Sequence, residues 1–168
     1  MSKTFYGKYR GIVTDNKDPL SMGRIRAHVP DVLGKDESGW ALPCVPFAGD
    51  GMGFYAMPDV NARVWIEFEQ GDPDYPIWVG CWWGSQDELP DEADDIQKVV
   101  IKTKNGQIIV LDGSGGEGSG EISIKTGNVE DQSIVLNSES IKIDNGTDAT
   151  IELSGPKVAV NDDALEVI

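Results

Sequence analysis

The fold of this chain is decided at residues 53–84, GFYAMPDVNARVWIEFEQGDPDYPIWVGCWWG. Between residues 64 and 68, apolar side chains alternate with polar or aromatic ones, and this period of two predicts a strand with one face toward a core. Turn residues follow at 71–74, and the aromatic and β-branched run 75–83 predicts a second strand. Four of the five tryptophans fall inside this stretch, so much of the apolar area available to a core or an interface is concentrated here. The stretch therefore predicts a hairpin at the centre of a small β-domain.

Shorter strands are predicted before the hairpin. In Gly23–Pro30, alternation places Ile25, Ala27 and Val29 on the inward face and the arginines outside. Several short strands at this spacing indicate a small barrel. The predicted strands are 5–13, 23–30 and 40–47, and a glycine-rich loop is predicted at 48–54.

Several motifs of this half occur together in a known family. They are Pro58-Asp59-Val60, Arg63-Val64-Trp65-Ile66-Glu67-Phe68-Glu69, Gly71-Asp72-Pro73, Pro76-Ile77-Trp78-Val79-Gly80 and the strand Gly23–Pro30. In order and spacing they resemble the OB-fold domain of the phage baseplate assembly protein V and VgrG spike family. That family usually has glycine where this chain has Asn61, which also tolerates a positive φ. The resemblance implies that residues 1–84 form an OB-fold barrel.

Charge separates the two halves of the chain. The net charge is −15, which argues against a nucleic-acid partner because phosphate binding needs clustered Lys and Arg. Residues 1–84 carry 8 basic and 11 acidic side chains, whereas residues 85–168 carry 6 and 18. Residues 85–97 are almost wholly polar around Pro90 and are interpreted as an acidic, solvated linker. With no signal peptide and no apolar run of roughly 20 residues, we expect synthesis in the cytoplasm.

The third region, residues 98–168, carries a repeat of i, i+2 apolar pairs separated by Gly, Asn, Asp and Ser. Each pair predicts a short strand with one dry face and one wet face. Strands this short cannot close a core alone, and the simplest symmetric solution is three copies wrapped around a common axis. The predicted axis residues are Ile122, Ile124, Ile134, Leu136, Ile141, Ile143, Ile151, Leu153, Val158 and Val160.

The resemblance implies the same all-β architecture: an N-terminal OB-fold barrel followed by a trimeric triangular β-helix needle. Residues 102–112 look like the entry to such a needle, and the glycine-rich segment 113–120 is interpreted as an outer loop. Certain family members carry a lysozyme domain between barrel and needle, and here only the short acidic linker stands there. We therefore expect no catalytic role and no cofactor.

Candidate catalytic and metal residues are few. The carboxylate pairs Asp91/Glu92 and Asp94/Asp95 have no pocket predicted around them, as a glycosidase would need. The turns 144–148 and 161–163 have oxygen ligands that calcium accepts, yet they lack a regular calcium-binding spacing and are interpreted as plain turns. Cys44 and Cys81 are predicted to be buried small hydrophobes, and His28, the only histidine, is predicted to be a structural strand residue.

Three functions remain open from the sequence. The first is a structural central spike, which explains both halves: the barrel would join a baseplate hub protein, and the needle would pierce a target envelope contacted only transiently. The second is a cell-wall-degrading enzyme, and the third is an OB-fold module that binds oligosaccharide. The resemblance implies assembly into a phage tail-like particle, either a virion or an extracellular or cell-anchored injection apparatus.

The C-terminal residues form a further candidate site. A blunt trimeric end would expose a cluster of apolar side chains, and such a patch is normally a binding surface. The resemblance supplies a partner, a small conical PAAR-like tip protein bound by three chains. The predicted docking residues are Ala164, Leu165, Glu166, Val167 and Ile168.

Overall fold

The computed structural model describes residues 3–127, 132–162 and 164–167, and for residues 166 and 167 the backbone alone. Almost all of its regular structure is β-strand, as the sequence predicts. The chain divides into two compact units between Glu88 and Leu89. Among the described residues, no helix is long and apolar enough to span a membrane.

The N-terminal unit is built on a five-stranded sheet, whose strands in spatial order are β2 (Arg26–His28), β1 (Tyr9–Asp15), β6 (Arg63–Phe68), β7 (Pro76–Cys81) and β3 (Leu42–Pro43). Neighbouring strands are antiparallel except for β3 and β7, which are parallel. The hairpin predicted at 53–84 is β6 and β7, joined through a 3-10 turn at Glu69–Gly71. The elements are β1 (Tyr9–Asp15), β2 (Arg26–His28), α1 (Pro30–Leu33), β3 (Leu42–Pro43), β4 (Ala48–Gly49), β5 (Met52–Gly53), β6 (Arg63–Phe68) and β7 (Pro76–Cys81).

The core of this unit lies on the inward side of these strands. Because side chains alternate along β6, Val64, Ile66 and Phe68 face inward while the residues between them, including Trp65, remain half-buried. The predicted inward residues Ile25, Ala27 and Val29 are fully buried, and the arginines beside them stack on Trp40 at 5.5 and 5.6 Å. The core consists of Val13, Ile25, Ala27, Val29, Ala41, Val64, Ile66, Phe68 and Trp78.

The loop between β1 and β2 is fixed by one carboxylate. Asp18 accepts hydrogen bonds from the backbone amides of Leu20 (3.0 Å) and Met22 (2.8 Å), and it pairs with the Arg24 guanidinium at 2.6 Å. The Arg24 side chain and these amides hold the pKa of Asp18 far below its ordinary value. The Trp78 indole also donates to the carbonyl of Gly23 at 3.1 Å, so the loop is attached to the core.

The structure corrects several details of the sequence analysis. Both Cys44 and Cys81 are exposed, so the prediction that they are buried is wrong. Cys44 follows the end of the two-residue strand β3, and Cys81 lies at the end of β7, three positions beyond the inward-facing Trp78. The predicted loop at 48–54 contains the small hairpin β4–β5. His28 lies in β2, where its Nε2 is 2.8 Å from the carbonyl oxygen of Gly34.

The C-terminal unit is one curled antiparallel sheet of eight strands that pair in the order of the chain. Short connections of polar residues and glycine join successive strands. Asp144, Asn145 and Asn137 use their side-chain oxygens to accept hydrogen bonds from the backbone of these turns. The strands are β8 (Lys98–Lys102), β9 (Ile108–Asp112), β10 (Glu121–Lys125), β11 (Ser133–Leu136), β12 (Ser140–Asp144), β13 (Thr150–Ser154), β14 (Lys157–Val160) and β15 (Leu165–Val167).

We expect Asp18→Asn to lower the melting temperature of the barrel at neutral pH, because it removes the charge that the loop amides and Arg24 stabilise. A carboxylate whose pKa is lower in the folded than in the unfolded state contributes its full stabilisation at pH values above the unfolded pKa, here the ordinary aspartate value of 3.8. This contribution to the free energy of unfolding is lost as the pH falls and the native carboxylate is protonated. The difference from the wild type should therefore shrink below that pH. Tryptophan fluorescence reports on this transition, because all five tryptophans precede residue 84.

The control is Asp36→Asn, at an exposed aspartate outside this loop. Equal melting temperatures of Asp18→Asn and the wild type across the whole pH range would contradict the role given to Asp18.

Candidate functional site

The apolar face of the C-terminal sheet is the candidate functional site. Its side chains form two parallel rows, because the strands contribute apolar residues in i, i+2 pairs and each stands opposite an apolar residue on the neighbouring strand. The first, here called the isoleucine row, contains Ile101, Ile109, Ile124, Ile134, Ile143, Ile151, Val160 and Leu165. The second, the leucine row, contains Val99, Leu111, Ile122, Leu136, Ile141, Leu153 and Val158.

All ten residues predicted to line a trimer axis lie in these two rows. In the single chain most of them remain about two-fifths exposed, for example Ile143 at 44 % and Ile122 at 43 %, and only Leu136 and Val160 are half-buried. A groove of about 700 Å³ follows the isoleucine row from Ile124 to Val160. The single chain therefore leaves its most apolar surface uncovered, and its role as a trimer axis remains a prediction.

Sequence reasoning missed the first four members of the two rows. Val99 and Ile101 on β8 pair with Leu111 and Ile109 on β9, so the apolar face begins at residue 99 rather than 122. The alternation of apolar and polar residues that marks the other strands is missing here, because β8 and β9 are apolar on both sides. Ile108, for example, is buried on the opposite face at 7 % exposure. The flanking Lys98 and Lys102, four residues apart, would have indicated the strand and its register.

From β10 to β14 the opposite face of the sheet carries mainly small and polar residues. Ser123, Thr150 and Ala159 are buried there, and Lys142 stands opposite Glu152 in the cross-strand register. At β8 and β9 this face is apolar as well, with Ile108 buried in it. Alternation thus separates an apolar face from a mainly polar one only between β10 and β14.

Acidic residues of the predicted linker form ion pairs with the first strand of this unit. The Lys98 ammonium lies 2.8 Å from Asp94 and 3.2 Å from Asp112, and Lys102 lies 2.8 Å from Glu92. Hydrogen bonds with these lysines lower the pKa of Glu92 and of Asp94, and the carboxylates raise the pKa of Lys98. These contacts form an ionic clasp at the start of the sheet.

The candidate catalytic and metal residues have other uses. Glu92 and Asp94, one from each carboxylate pair, are engaged in the clasp, and Asp144 accepts a hydrogen bond from the Gly146 amide within its turn. Within the described ranges, no group of three or more His, Cys, Asp or Glu side chains could hold a metal ion.

The predicted docking residues lie at one edge of the sheet. β15 pairs with β14 and forms the last strand in the sheet order. Ala164 and Leu165 are exposed, with Leu165 at 60 %. Glu166 and Val167 are described in the backbone alone, and Ile168 lies outside the described residues.

Both units match models of known protein families. The model described as the type VI secretion system/phage-baseplate injector OB domain matches residues 9–83. The model described as the phage baseplate V C-terminal trimerisation domain matches residues 98–166, the range that contains the two apolar rows.

Curated relatives include the type VI secretion system spike protein VgrG4b of Pseudomonas aeruginosa, 31 % identical over 104 residues, or 61 % of this chain and 12 % of that protein. The actin cross-linking toxin VgrG1 of Vibrio cholerae is 31 % identical over 108 residues, or 61 % of this chain and 9 % of that protein. The spike protein VgrG3 of Vibrio cholerae is 29 % identical over 110 residues, or 62 % and 10 %. The matched region thus spans only about a tenth of these relatives.

We expect the double substitution Lys98→Gln and Lys102→Gln to release the segment 89–95, because both cations of the clasp are lost. Amide hydrogen exchange of peptides covering this segment should become faster, while exchange in β10–β13 stays unchanged. Lys142→Gln is the matched control, since it removes a lysine from a strand in the middle of the sheet. Unchanged exchange at 89–95 in the double variant would contradict the ionic clasp.

Proposed function

Because this chain belongs to the phage baseplate V and type VI secretion injector family, we propose that it is the structural central spike of a contractile injection apparatus. The family assignment rests on the OB domain and the trimerisation domain, which together span most of the chain. We further propose that the apolar faces of three copies meet on a common axis and that the resulting needle transmits force.

The observation that carries the proposal is the uncovered apolar face of the C-terminal sheet. Soluble monomers rarely expose a contiguous apolar surface larger than a few hundred Å². In this sheet all eight strands contribute to one such surface, and the domain that contains it matches a trimerisation family. Three copies that turn these faces toward a common axis would bury both rows at once.

The distribution of charge supports the same arrangement. Residues 85–168 carry 18 acidic and 6 basic side chains, and the apolar rows contain none of them. With the apolar faces on the axis, the acidic side chains would cover the outside of the needle. A strongly charged exterior disfavours side-by-side association of needles.

The two ends of the spike have different tasks in this proposal. The barrel, with a net charge close to neutral and all the tryptophans, attaches the spike to a separate hub protein of the baseplate. The edge strand β15 carries a PAAR-like tip protein, and the needle transmits the force of contraction into a target envelope. The toxin activity in the name of one relative belongs to that protein, since the match covers 9 % of its length.

Placing Asp at both Ile143 and Ile151 should abolish trimer formation. These residues are cross-strand neighbours in the isoleucine row, so three copies would place six carboxylates in a dry axis. Desolvation costs several kcal/mol for each buried ion, which is more than the axis can offset. Light scattering should give about three times 18.2 kDa for the wild type and a single-chain mass for the variant.

The matched control changes the opposite face of the same two strands. Lys142→Gln together with Glu152→Gln alters a cross-strand pair in the same register, and the trimer mass should be retained. A stable trimer of the double-Asp variant would refute the proposed axis.

Truncation after Asp163 should leave the trimer intact but remove the tip protein. The deletion takes away β15, the edge strand with the exposed Leu165, and leaves seven strands of the apolar face. Co-purification of the PAAR-like protein with particles from producing cells measures the effect. Retention of the tip protein by the truncated spike would show that these residues do not carry it.

A further inference from the structure

The barrel has an exposed apolar patch that the attachment and needle roles do not explain. Met22 of the loop after Asp18 and three residues in and after the β4–β5 hairpin line one cavity, and their side chains are between 51 % and 77 % exposed. Soluble surfaces normally carry such residues singly, so a cluster of this size indicates a contact surface. This hairpin patch consists of Met22, Met52, Phe54 and Tyr55.

The hairpin patch has a rigid base. The hydrogen bonds of Asp18 and its pairing with Arg24 fix the loop that bears Leu20 and Met22. The indole of Trp78 anchors the same loop from the core, and a cavity of about 320 Å³ separates the loop from the hairpin. The polar contacts of Asp18 therefore fix the backbone that carries Met22.

A second, different surface lies on the outward side of β1 and β6. Arg10 stacks on Trp82 at 4.8 Å and on Trp65 at 5.9 Å, and the two indole rings lie 5.7 Å apart. Trp83 beside them is 61 % exposed. Arginine and tryptophan are the residues most enriched at binding hot spots. We call Arg10, Trp65, Trp82 and Trp83 the arginine-tryptophan face.

The two surfaces have complementary chemistry. The hairpin patch offers Phe and Tyr rings to a guanidinium and Met thioethers to indole rings, both of which are favourable contacts. Asp50 stands at the tip of the β4–β5 hairpin, and Arg10 stands in the second surface. Within the described residues, neither Asp50 nor Arg10 forms an ion pair.

From these two surfaces we infer that, in the homotrimer, the hairpin patch of each barrel packs on the arginine-tryptophan face of the next barrel. A closed ring of three copies needs a heterologous contact between two different surfaces of one chain, and the barrel carries such a pair. Three barrels joined to one needle meet at effective concentrations in the mM range, so even a weak contact would be occupied. The inference rests on the proposed trimer.

Cysteine cross-linking tests the contact in the full-length chain. The native cysteines are exposed and are first replaced, Cys44→Ser and Cys81→Ser. Asp50→Cys and Arg10→Cys are then combined, and the protein is treated with a short bismaleimide. Covalently linked trimers should be the main product, at least about tenfold above the control pair Asp36→Cys with Arg10→Cys, because only the contacting pair has a high effective concentration.

The trimer mass is measured before cross-linking, so two failures can be separated. An intact trimer that gives no more interchain product than the control overturns the barrel contact alone. A single-chain mass for the cysteine variants and for the wild type overturns the proposed spike trimer itself.

Charge reversal provides a second test that needs no cross-linker. Arg10→Glu alone and Asp50→Arg alone should each speed amide exchange of residues 47–55 about two- to fivefold, the range expected for an exposed ion pair. The double reversal should restore the wild-type rate. Exchange rates that are the same in all four proteins, or protection of 47–55 that appears only in particles containing the hub, overturn the inference.

Discussion

The cross-strand register of the C-terminal sheet is the constraint on which the proposed spike depends. Seven antiparallel pairings in succession place an apolar residue opposite an apolar residue. A slip of one residue at any pairing would turn all later side chains to the other face. The free-energy cost of such a slip grows with the number of strands that follow it. The repeated apolar pairs therefore specify the register. The separation of an apolar face from an acidic exterior follows directly from this alternation.

The strands of the barrel have the same alternation of inward and outward side chains, but with a different result. Its inward residues close a core within one chain, and Trp78 both fills that core and fixes a surface loop through its indole. Among the described residues, the apolar side chains on the C-terminal sheet remain largely exposed in the single chain. One half of the chain is therefore folded around its own core, whereas the other half presents a surface that needs further copies. This contrast explains why tryptophan is confined to the barrel and short β-branched residues dominate the sheet.

Alternation made most of this structure predictable from sequence. The buried residues of β6 and the apolar face that contains the ten predicted axis positions follow from the sequence because each apolar residue has a polar neighbour. The pairs at Val99 and Leu111 were missed because their strands are apolar on both sides, which removes the contrast. The ionic clasp was missed for another reason: the pairs Lys98–Asp112 and Lys102–Glu92 join residues 14 and 10 positions apart, and their approach depends on how the chain folds. Exposure of Cys44 likewise depends on where a two-residue strand ends.

The order of strands in the sheet has a kinetic consequence. Every strand of the C-terminal sheet pairs with its neighbour in sequence, so the contacts are local and each hairpin can form on the one before it. Proteins dominated by local contacts fold fast, because little loop-closure entropy is lost before pairing. The backbone pairing of each copy therefore requires no strand from another copy. In the proposed trimer, the encounter of three copies is the step whose rate depends on concentration.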